Sequence, residues 1–361
     1  MITDVIRRDA QGVVDNLGRL LDPLAGSTVL VTGAAGFIGG FFLDLLDAFN
    51  DRHPGRPARV VAMDNFMVGP PERLSHLLSR PWVTCRAGDV SRPLVPPLQP
   101  DWIIHAASIG SPSIYRANPL EVIAANVQGT WNMLDLCHQG ARGMLSFSSS
   151  EVYGDPSVVP TPEDYNGNVS FTGPRACYDE SKRLGETLCA TYFRLHRTPV
   201  KVIRPFNVYG PGQRLDDGRI IPDLVRAALA GGPLVLYSDG RATRSFCYVS
   251  DFAEACLMLL MMPEADGHAF NVGNAEEVSI ADAGHAMAEA SGDPSMKVEF
   301  RVSSEAAYLV DNPQRRCPDL TKLHRLTGFE ARVKVREGLG RTLSSYREER
   351  DLGSLRKAAQ G

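Results

Sequence analysis

The stretch TVLVTGAAGFIGG, residues 28–40, decides the fold. Its apolar, β-branched first half predicts a strand, and its second half begins an apolar helical pattern. Three glycines, at positions 33, 36 and 39, lie between strand and helix. Small residues let a backbone approach a pyrophosphate, whose charge then faces the amide groups and positive end of the helix. The spacing is GxxGxxG and departs from the strict GxGxxG, so the motif is informative because of its strand–turn–helix context.

The same alternation of short β-branched runs and helical patterns continues to residue 210. Such alternation is typical of a doubly wound parallel sheet, so the sequence predicts an α/β, Rossmann-like fold. The predicted strands are 28–33, 58–64, 101–108, 144–149 and 200–210, and the predicted helices are 37–50, 119–139 and 178–197.

The pattern divides the chain into four regions. Residues 1–26 have apolar residues at helical spacing and predict a helical extension that packs on the main body. Residues 27–210 form the predicted dinucleotide-binding domain, which also receives segments near 240–265. Residues 211–347 have shorter elements with more Pro and Gly, and predict mainly a smaller, mixed α/β, substrate-binding lobe. Residues 348–361 are expected to form a C-terminal tail.

Composition excludes several classes of function. A net charge of −4 gives no reason to expect nucleic acid or an anionic membrane as a partner. The seven cysteines contain no CxxC pair and the eight histidines no HExxH motif, so we expect reduced thiols, a cytoplasmic location and no metal. The longest apolar run, residues 255–262, is far shorter than the ~20 residues that a bilayer requires, so we expect a soluble protein.

A carboxylate follows the second predicted strand and favours one cofactor. Asp64 can accept hydrogen bonds from both ribose hydroxyls and would repel a 2′-phosphate, which favours NAD over NADP. We expect Asp89 near the adenine amine and residues 105–108 along the cofactor. The residues predicted to bind NAD are Gly33, Gly36, Phe37, Ile38, Gly39, Asp64, Asn65, Asp89, Val90, Ala106, Ala107, Ser108, Asn126, Ser148, Tyr178 and Lys182.

Tyr178 and Lys182 stand four residues apart at the start of a predicted helix, so both face the same way. A positive charge near a phenol, whose pKa is ordinarily about 10, favours the phenolate. Tyr178 could then remove a hydroxyl proton while hydride leaves the same carbon. The serine-rich strand end, residues 148–150, supplies a hydroxyl that shares this proton.

Several longer segments resemble one family, the extended short-chain dehydrogenases/reductases that act on nucleotide sugars, and most closely its UDP-glucuronic acid decarboxylases. The resemblance runs from about residue 27 to residue 347. The segments that carry it are SSEVYGDP (149–156), GPRACYDESKR (173–183), YGPGQRLDDGR (209–219), GRATRSFCYVSD (240–251), NVGNAEE (271–277) and DNPQRRCPDL (311–320).

The resemblance implies roles for individual residues. It implies that a UDP-sugar is the substrate and that the protein is a homodimer, paired through helices 119–139 and 178–197. The chain departs from the family at Ser149, where the decarboxylases usually have threonine, and at Ser181, where they commonly have glycine. The implied catalytic residues are Ser149, Glu151, Tyr178 and Lys182, and the implied substrate-binding residues are Tyr115, Glu151, Arg175, Asn207, Arg219, Tyr237, Arg244 and Arg316.

The dipeptide Ser150-Glu151 distinguishes between reactions within this superfamily. A 4,6-dehydratase has an Asp before the Glu, because an acid must protonate the departing hydroxide. Decarboxylation to UDP-xylose needs no such acid, since a ketone at C4 makes the uronic acid a β-keto acid. A 4,6-dehydratase, a 4-epimerase, release of the UDP-4-keto-pentose, and a silent NAD-binding regulatory protein remain as alternatives.

Overall fold

The computed structural model describes residues 2–360 except 95–97 and 303–312. Its strands are β1 (Thr28–Thr32), β2 (Arg59–Asp64), β3 (Val83–Ala87), β4 (Trp102–His105), β5 (Gly143–Phe147), β6 (Val200–Pro205), β7 (Val208–Tyr209), β8 (Leu234–Leu236), β9 (Thr243–Ser245), β10 (Cys247–Tyr248), β11 (Ala269–Val272), β12 (Glu277–Ser279), β13 (Val298–Phe300) and β14 (Arg315–Arg316). Its α-helices are α1 (Asp4–Leu17), α2 (Phe37–Arg52), α3 (Pro112–Ala117), α4 (Pro119–Ile123), α5 (Thr130–His138), α6 (Ala176–His196), α7 (Ile220–Ala230), α8 (Val249–Met261), α9 (Ile280–Ser291), α10 (Thr321–Thr327) and α11 (Val335–Gln360).

Seven strands form one parallel sheet in the order β11–β6–β5–β4–β1–β2–β3. Thr32 pairs with Met63 on one side and with His105 on the other, so three strands end level at the carboxyl edge. The strand order reverses between β1 and β4, which is the switch point where doubly wound sheets bind ligands. The Rossmann-like α/β fold predicted from the sequence is therefore confirmed.

The N-terminal helix is part of the main body. Helix α1 begins after Thr3, whose hydroxyl accepts a hydrogen bond from the Ile6 amide. Its apolar face is buried against α2, α8 and α11. Asp9 links the helix to two other elements, because its carboxylate accepts hydrogen bonds from the Tyr248 hydroxyl and from Arg341. The apolar run 255–262 lies largely in α8 and is mostly buried. No helix in the described part of the chain is long and apolar enough to cross a membrane.

The backbone differs from the sequence prediction in several places. Strands β3 and β11 were not predicted, and β11 joins the sheet from the region assigned mainly to the second lobe. The predicted helix 119–139 contains a π-helical segment, Ala124–Gly129, between α4 and α5. Helix α11 continues to Gln360 through the predicted tail, because residues 348–360 contain no proline to end it.

Candidate active site

A cavity of 1210 Å³ lies at the carboxyl edge of the sheet, beside the switch point. It is lined by residues from both the dinucleotide turn and the C-terminal part of the chain, so the fold brings most of the predicted site together. The predicted residues that line it are Gly33, Gly36, Phe37, Ile38, Gly39, Asp64, Asn65, Asp89, Val90, Ala106, Ala107, Ser108, Tyr115, Ser149, Glu151, Arg175, Tyr178, Asn207, Arg219, Tyr237, Arg244 and Arg316.

The glycine-rich turn leaves no room for side chains. Gly33 has φ of +67°, which favours glycine, and a Cβ there would lie 2.7 Å from the Ala107 nitrogen. A Cβ on Gly39 would lie 2.1 Å from the Gly33 carbonyl oxygen. Gly36 precedes the first residue of α2, so the free amides of the first helical turn face the cavity. The turn therefore fits a pyrophosphate, as the motif predicts.

Asp64 at the end of β2 organises the turn from the other side. Its carboxylate accepts hydrogen bonds from the Ala35 amide, at 2.9 Å, and from the Phe66 amide, at 2.7 Å. Burial raises the pKa of Asp64, against the lowering effect of these backbone hydrogen bonds. Each carboxylate oxygen can accept a second hydrogen bond, so Asp64 keeps acceptor capacity for ribose hydroxyls.

The catalytic pair predicted from the sequence lies at the start of α6. Tyr178 is 8% exposed and lines the cavity, where it forms a hydrogen bond with Ser149 at the end of β5. Lys182 is one turn further along α6, behind the phenol, with its Nζ 5.8 Å from the centre of the Tyr178 ring. The Lys182 Nζ donates a hydrogen bond to the Phe147 carbonyl at 2.6 Å and does not line the cavity.

The electrostatics of this pair differ from the expectation. Burial raises the pKa of Tyr178, although the hydrogen bond from Ser149 and the charge of Arg219 oppose this effect. Burial also lowers the pKa of Lys182 to about 7, so its ammonium is only partly charged at neutral pH. We expected Lys182 to lower the pKa of the Tyr178 phenol. The two side chains alone do not have this effect, because burial disfavours the charged form of both groups.

Glu151 is held as a carboxylate between two arginines. Arg316 donates hydrogen bonds to both of its oxygens, and Arg175 Nη2 lies 2.5 Å from Oε2. Burial on its own would raise the pKa of Glu151, but the charges of Arg316 and Arg175 outweigh it and hold that pKa at about 2. Glu151 is therefore ionised throughout the neutral range and cannot serve there as a proton donor.

Tyr115 and Asn207 present polar atoms whose partners are missing among the described residues. The Tyr115 ring stacks on that of Tyr178, with centroids 5.2 Å apart, and its buried hydroxyl forms no hydrogen bond. Asn207 has φ of +41°, and its buried Nδ2 also lacks an acceptor. Both residues line the cavity, so a bound molecule can satisfy these atoms.

The remaining predicted side chains lie where the C-terminal part of the chain borders the cavity. Arg244 is 7% exposed, and its guanidinium donates hydrogen bonds to the Thr243 and Gln314 carbonyls. Burial, with the nearby charge of Arg316, lowers the pKa of Arg244 to about 10. Arg219 is more exposed and donates to the Gly110 carbonyl. This end of the cavity is therefore rich in cations and suits a polyanionic ligand.

Three predicted cofactor residues do not line the cavity: Lys182, as described above, and also Ser148 and Asn126. The Ser148 hydroxyl donates a hydrogen bond to Glu186 at 2.5 Å, away from the cavity that Ser149 lines. Successive side chains of an extended segment point to opposite sides, so only one of the two serines can face the cavity. Asn126 is buried in the π-helical segment, where it accepts a hydrogen bond from Ser108 and donates one to Ser181. Its contact with the cofactor is therefore at most indirect.

Two features of the site were missed from the sequence. Gly69 packs against the dinucleotide turn so closely that a Cβ would lie 2.0 Å from the Ala35 carbonyl oxygen. Glu186 accepts a hydrogen bond from Ser148, next to the predicted catalytic residue Ser149. The spacing of Glu186, four residues after Lys182 and eight after Tyr178, is a helical-face signal that could have identified it.

Comparison with known proteins gives consistent results. Residues 29–273 match the NAD dependent epimerase/dehydratase family. UDP-glucuronic acid decarboxylase 2 of Arabidopsis thaliana is 42% identical over 324 residues, which cover 90% of this chain and 69% of that protein. An epimerase from Methanothermobacter thermautotrophicus superposes with a TM-score of 0.80 at 26% identity, covering 93% of this chain and 97% of its own. UDP-glucuronic acid 4-epimerase from Bacillus cereus, solved with UDP-glucuronic acid and NAD, has a TM-score of 0.75 at 25% identity, covering 89% and 99%.

Substitution of Gly39 by alanine tests the dinucleotide turn. Because the new Cβ would meet the Gly33 carbonyl, the turn must shift, and we expect Gly39→Ala to weaken NAD binding at least tenfold, which is about 1.4 kcal/mol. The matched control is Gly55→Ala in the exposed segment before β2, where a Cβ meets no atom within 4 Å. Calorimetric titration with NAD measures both variants. Equal affinities for the two would contradict the assignment of the turn.

Proposed function

The chain belongs to the NAD dependent epimerase/dehydratase family, and on that basis we propose that it converts UDP-glucuronic acid to UDP-xylose and CO₂ with NAD as its cofactor. The observation that carries this proposal is that a buried phenol lies near a carboxylate, Glu151, which two arginines hold ionised. Tyr178 and Ser149 suit the oxidation of a hydroxyl, and Glu151 lacks the proton that elimination of a hydroxide would require.

Tyr178 acts as the base in the first step. It accepts the proton of the C4 hydroxyl, while Ser149 shares that proton through its hydrogen bond to the phenol oxygen. NAD, held by the glycine-rich turn and Asp64, would supply the hydride acceptor for C4 and the donor after CO₂ has left, and its positive ring would favour the phenolate that burial disfavours. Tyr178 gives the same proton back to the C4 oxygen in the last step.

Loss of CO₂ needs no acid from the protein. Once C4 is a ketone, the bond from C5 to the carboxyl carbon breaks, and its electron pair moves into an enolate. A proton from water then adds to C5 in place of the carboxyl group. Glu151, held by Arg175 and Arg316, keeps a fixed negative charge beside the sugar and orients the ring or a water for that protonation. Arg219 and Arg244, with the Nδ2 of Asn207, bind the diphosphate and sugar.

The rival reactions differ from the proposed one in what they require or produce. A 4,6-dehydratase needs a proton donor for the leaving hydroxide, and the residue before Glu151 is Ser150, whose pKa is too high for that role. A 4-epimerase would rotate the keto-sugar before hydride returns, with no loss of CO₂. The intact set of Ser149, Tyr178 and Lys182 argues against a silent NAD-binding protein.

The location and assembly of the protein are further parts of this proposal. All seven cysteines are free thiols, which favours the cytoplasm. The homodimer would pair through α4, α5 and α6, since these adjacent helices expose large apolar side chains. The exposed residues on them are Leu120, Ile123, Trp131, Leu184 and Leu195.

Product analysis with the Tyr178→Phe variant tests the reaction. Purified protein with NAD and UDP-glucuronic acid is expected to release CO₂ and form UDP-xylose. Tyr178→Phe removes the base, so we expect the turnover rate to fall about 10²–10⁴-fold. The matched control is Cys177→Ser, which keeps a donor for the Tyr115 carbonyl that the thiol contacts at 3.8 Å and should keep most of the activity.

Wild-type protein that releases no CO₂ from this substrate would overturn the decarboxylase assignment. Conversion of the sugar to its C4 epimer without loss of carbon would favour the epimerase. A Tyr178→Phe variant that turns over as fast as the wild type would contradict the role of Tyr178 as the base, but it would not contradict the assigned reaction.

Charge placed on the helical face tests the homodimer. Trp131 and Leu184 are 45% and 46% exposed, and we expect the double variant Trp131→Glu/Leu184→Glu to shift the protein from dimer to monomer. Light scattering coupled to gel filtration measures the mass. Leu78→Glu is the control, because Leu78 is 66% exposed outside these helices. A dimer that survives the double substitution places the interface elsewhere.

A further inference from the structure

Three side chains on one face of α6 bind three consecutive residues at the end of β5. Tyr178 forms a hydrogen bond with Ser149, and the Lys182 Nζ donates to the Phe147 carbonyl. Glu186, one turn further along, accepts a hydrogen bond from the Ser148 hydroxyl. The first two contacts belong to the catalytic pair, and the third belongs to a residue that the mechanism has not used.

Glu186 is fixed by an arginine from the neighbouring strand. Arg204 on β6 donates from Nε to Oε1 at 2.9 Å and from Nη2 to Oε2 at 2.6 Å. The side chains of Glu186 and Arg204 are 16% and 12% exposed. Arg204 also donates to the Tyr153 hydroxyl, which in turn donates to Asn271 on β11. The carboxylate is therefore held by Ser148 after β5 and by Arg204 on β6, and Arg204 is itself linked to β11 through Tyr153.

Lys182 lies among groups that are otherwise neutral near pH 7. His105 on β4 faces it, and burial, with the charge of Lys182, lowers the pKa of His105 to about 3. Burial raises the pKa of Cys189, on α6, to about 12, and it also raises the pKa of Tyr178. Glu186 is the one carboxylate among the described groups that act on Lys182, and its charge raises the lysine pKa that burial lowers.

We propose that Glu186, bound to Arg204, is a positioning residue for the catalytic side chains: it is the counter-charge of the buried Lys182 ammonium, and it holds Ser148 against α6. The first effect keeps a positive charge behind the Tyr178 phenol. The second turns Ser149 toward the cavity, because neighbouring side chains of an extended segment point to opposite sides. The effect of Glu186 on catalysis rests on the proposed function, whereas its effects on Lys182 and Ser148 do not.

The direct test measures the protonation of Lys182. The chain contains six lysines, so selective ¹³C labelling of lysine Cε gives a spectrum in which Lys182 is assigned by its loss in Lys182→Arg. Glu186→Gln alone would leave Arg204 buried and unpaired, which is strongly destabilising. The double variant Glu186→Gln/Arg204→Met removes both charges at similar volume and avoids that penalty.

We expect the Lys182 titration midpoint to lie near 7 in the wild type and about one pH unit lower in the double variant. The matched control removes another buried ion pair that involves β6, in Lys201→Met/Asp266→Asn, where Nζ and Oδ1 are 2.5 Å apart. This control should leave the Lys182 midpoint unchanged. A Glu186/Arg204 double variant that is folded and titrates like the wild type would overturn the proposal.

The catalytic consequence is measured separately, as the rate of CO₂ release against pH. Below its pKa Lys182 is an ammonium, so a lower pKa means that this charge is lost at lower pH. We expect the alkaline limb of this pH profile to lie about one pH unit lower in the double variant. At pH values above that limb, we expect the rate of CO₂ release to be about tenfold lower than in the wild type. A merely structural role would lower the rate equally at every pH. Wild-type protein that releases no CO₂ would defeat the proposed function, while the titration would still decide the role of Glu186.

Discussion

The contact between α6 and the end of β5 is the constraint on which the rest of the site depends. Helical geometry places Tyr178, Lys182 and Glu186 one above the other, and each binds a different residue between Phe147 and Ser149. The parallel register of the sheet then sets this strand end level with the dinucleotide turn after β1. A phenol and a pyrophosphate site on separate elements are thereby held at a fixed separation.

Burial affects which titratable side chains at the site are charged. Burial raises the pKa of Tyr178 and lowers that of Lys182 to about 7, so it disfavours the charged form of both groups. In the proposed mechanism, the positive ring of NAD would favour the Tyr178 phenolate, so the reactivity of the proposed base would depend on cofactor binding. Glu151 has the opposite character, since Arg316 and Arg175 hold it ionised at any neutral pH. An ionised Glu151 after β5 suits a reaction whose leaving group departs unprotonated.

Local patterns were predicted well from the sequence, and contacts between distant segments were not. The glycine turn and the Tyr178–Lys182 pair each lie within one strand–turn–helix or one helical turn, and Asp64 ends the next predicted strand, so residue spacing is enough to propose them as site residues. The ion pair between Glu151 and Arg316 joins residues 165 positions apart, and no periodicity indicates it.

The errors have physical reasons of the same kind. Ser148 was placed in the cofactor site although the alternation of side chains along a strand excludes it once Ser149 faces the cavity. Strand β3 lies at the sheet edge and its residues are only partly buried, which leaves little apolar pattern to detect.

The central claim is that C4 is oxidised and then reduced again within one site. The most direct measurement uses UDP-glucuronic acid carrying deuterium at C4. The account predicts that the deuterium is found at C4 of the UDP-xylose formed, and its replacement by hydrogen from the solvent would contradict it.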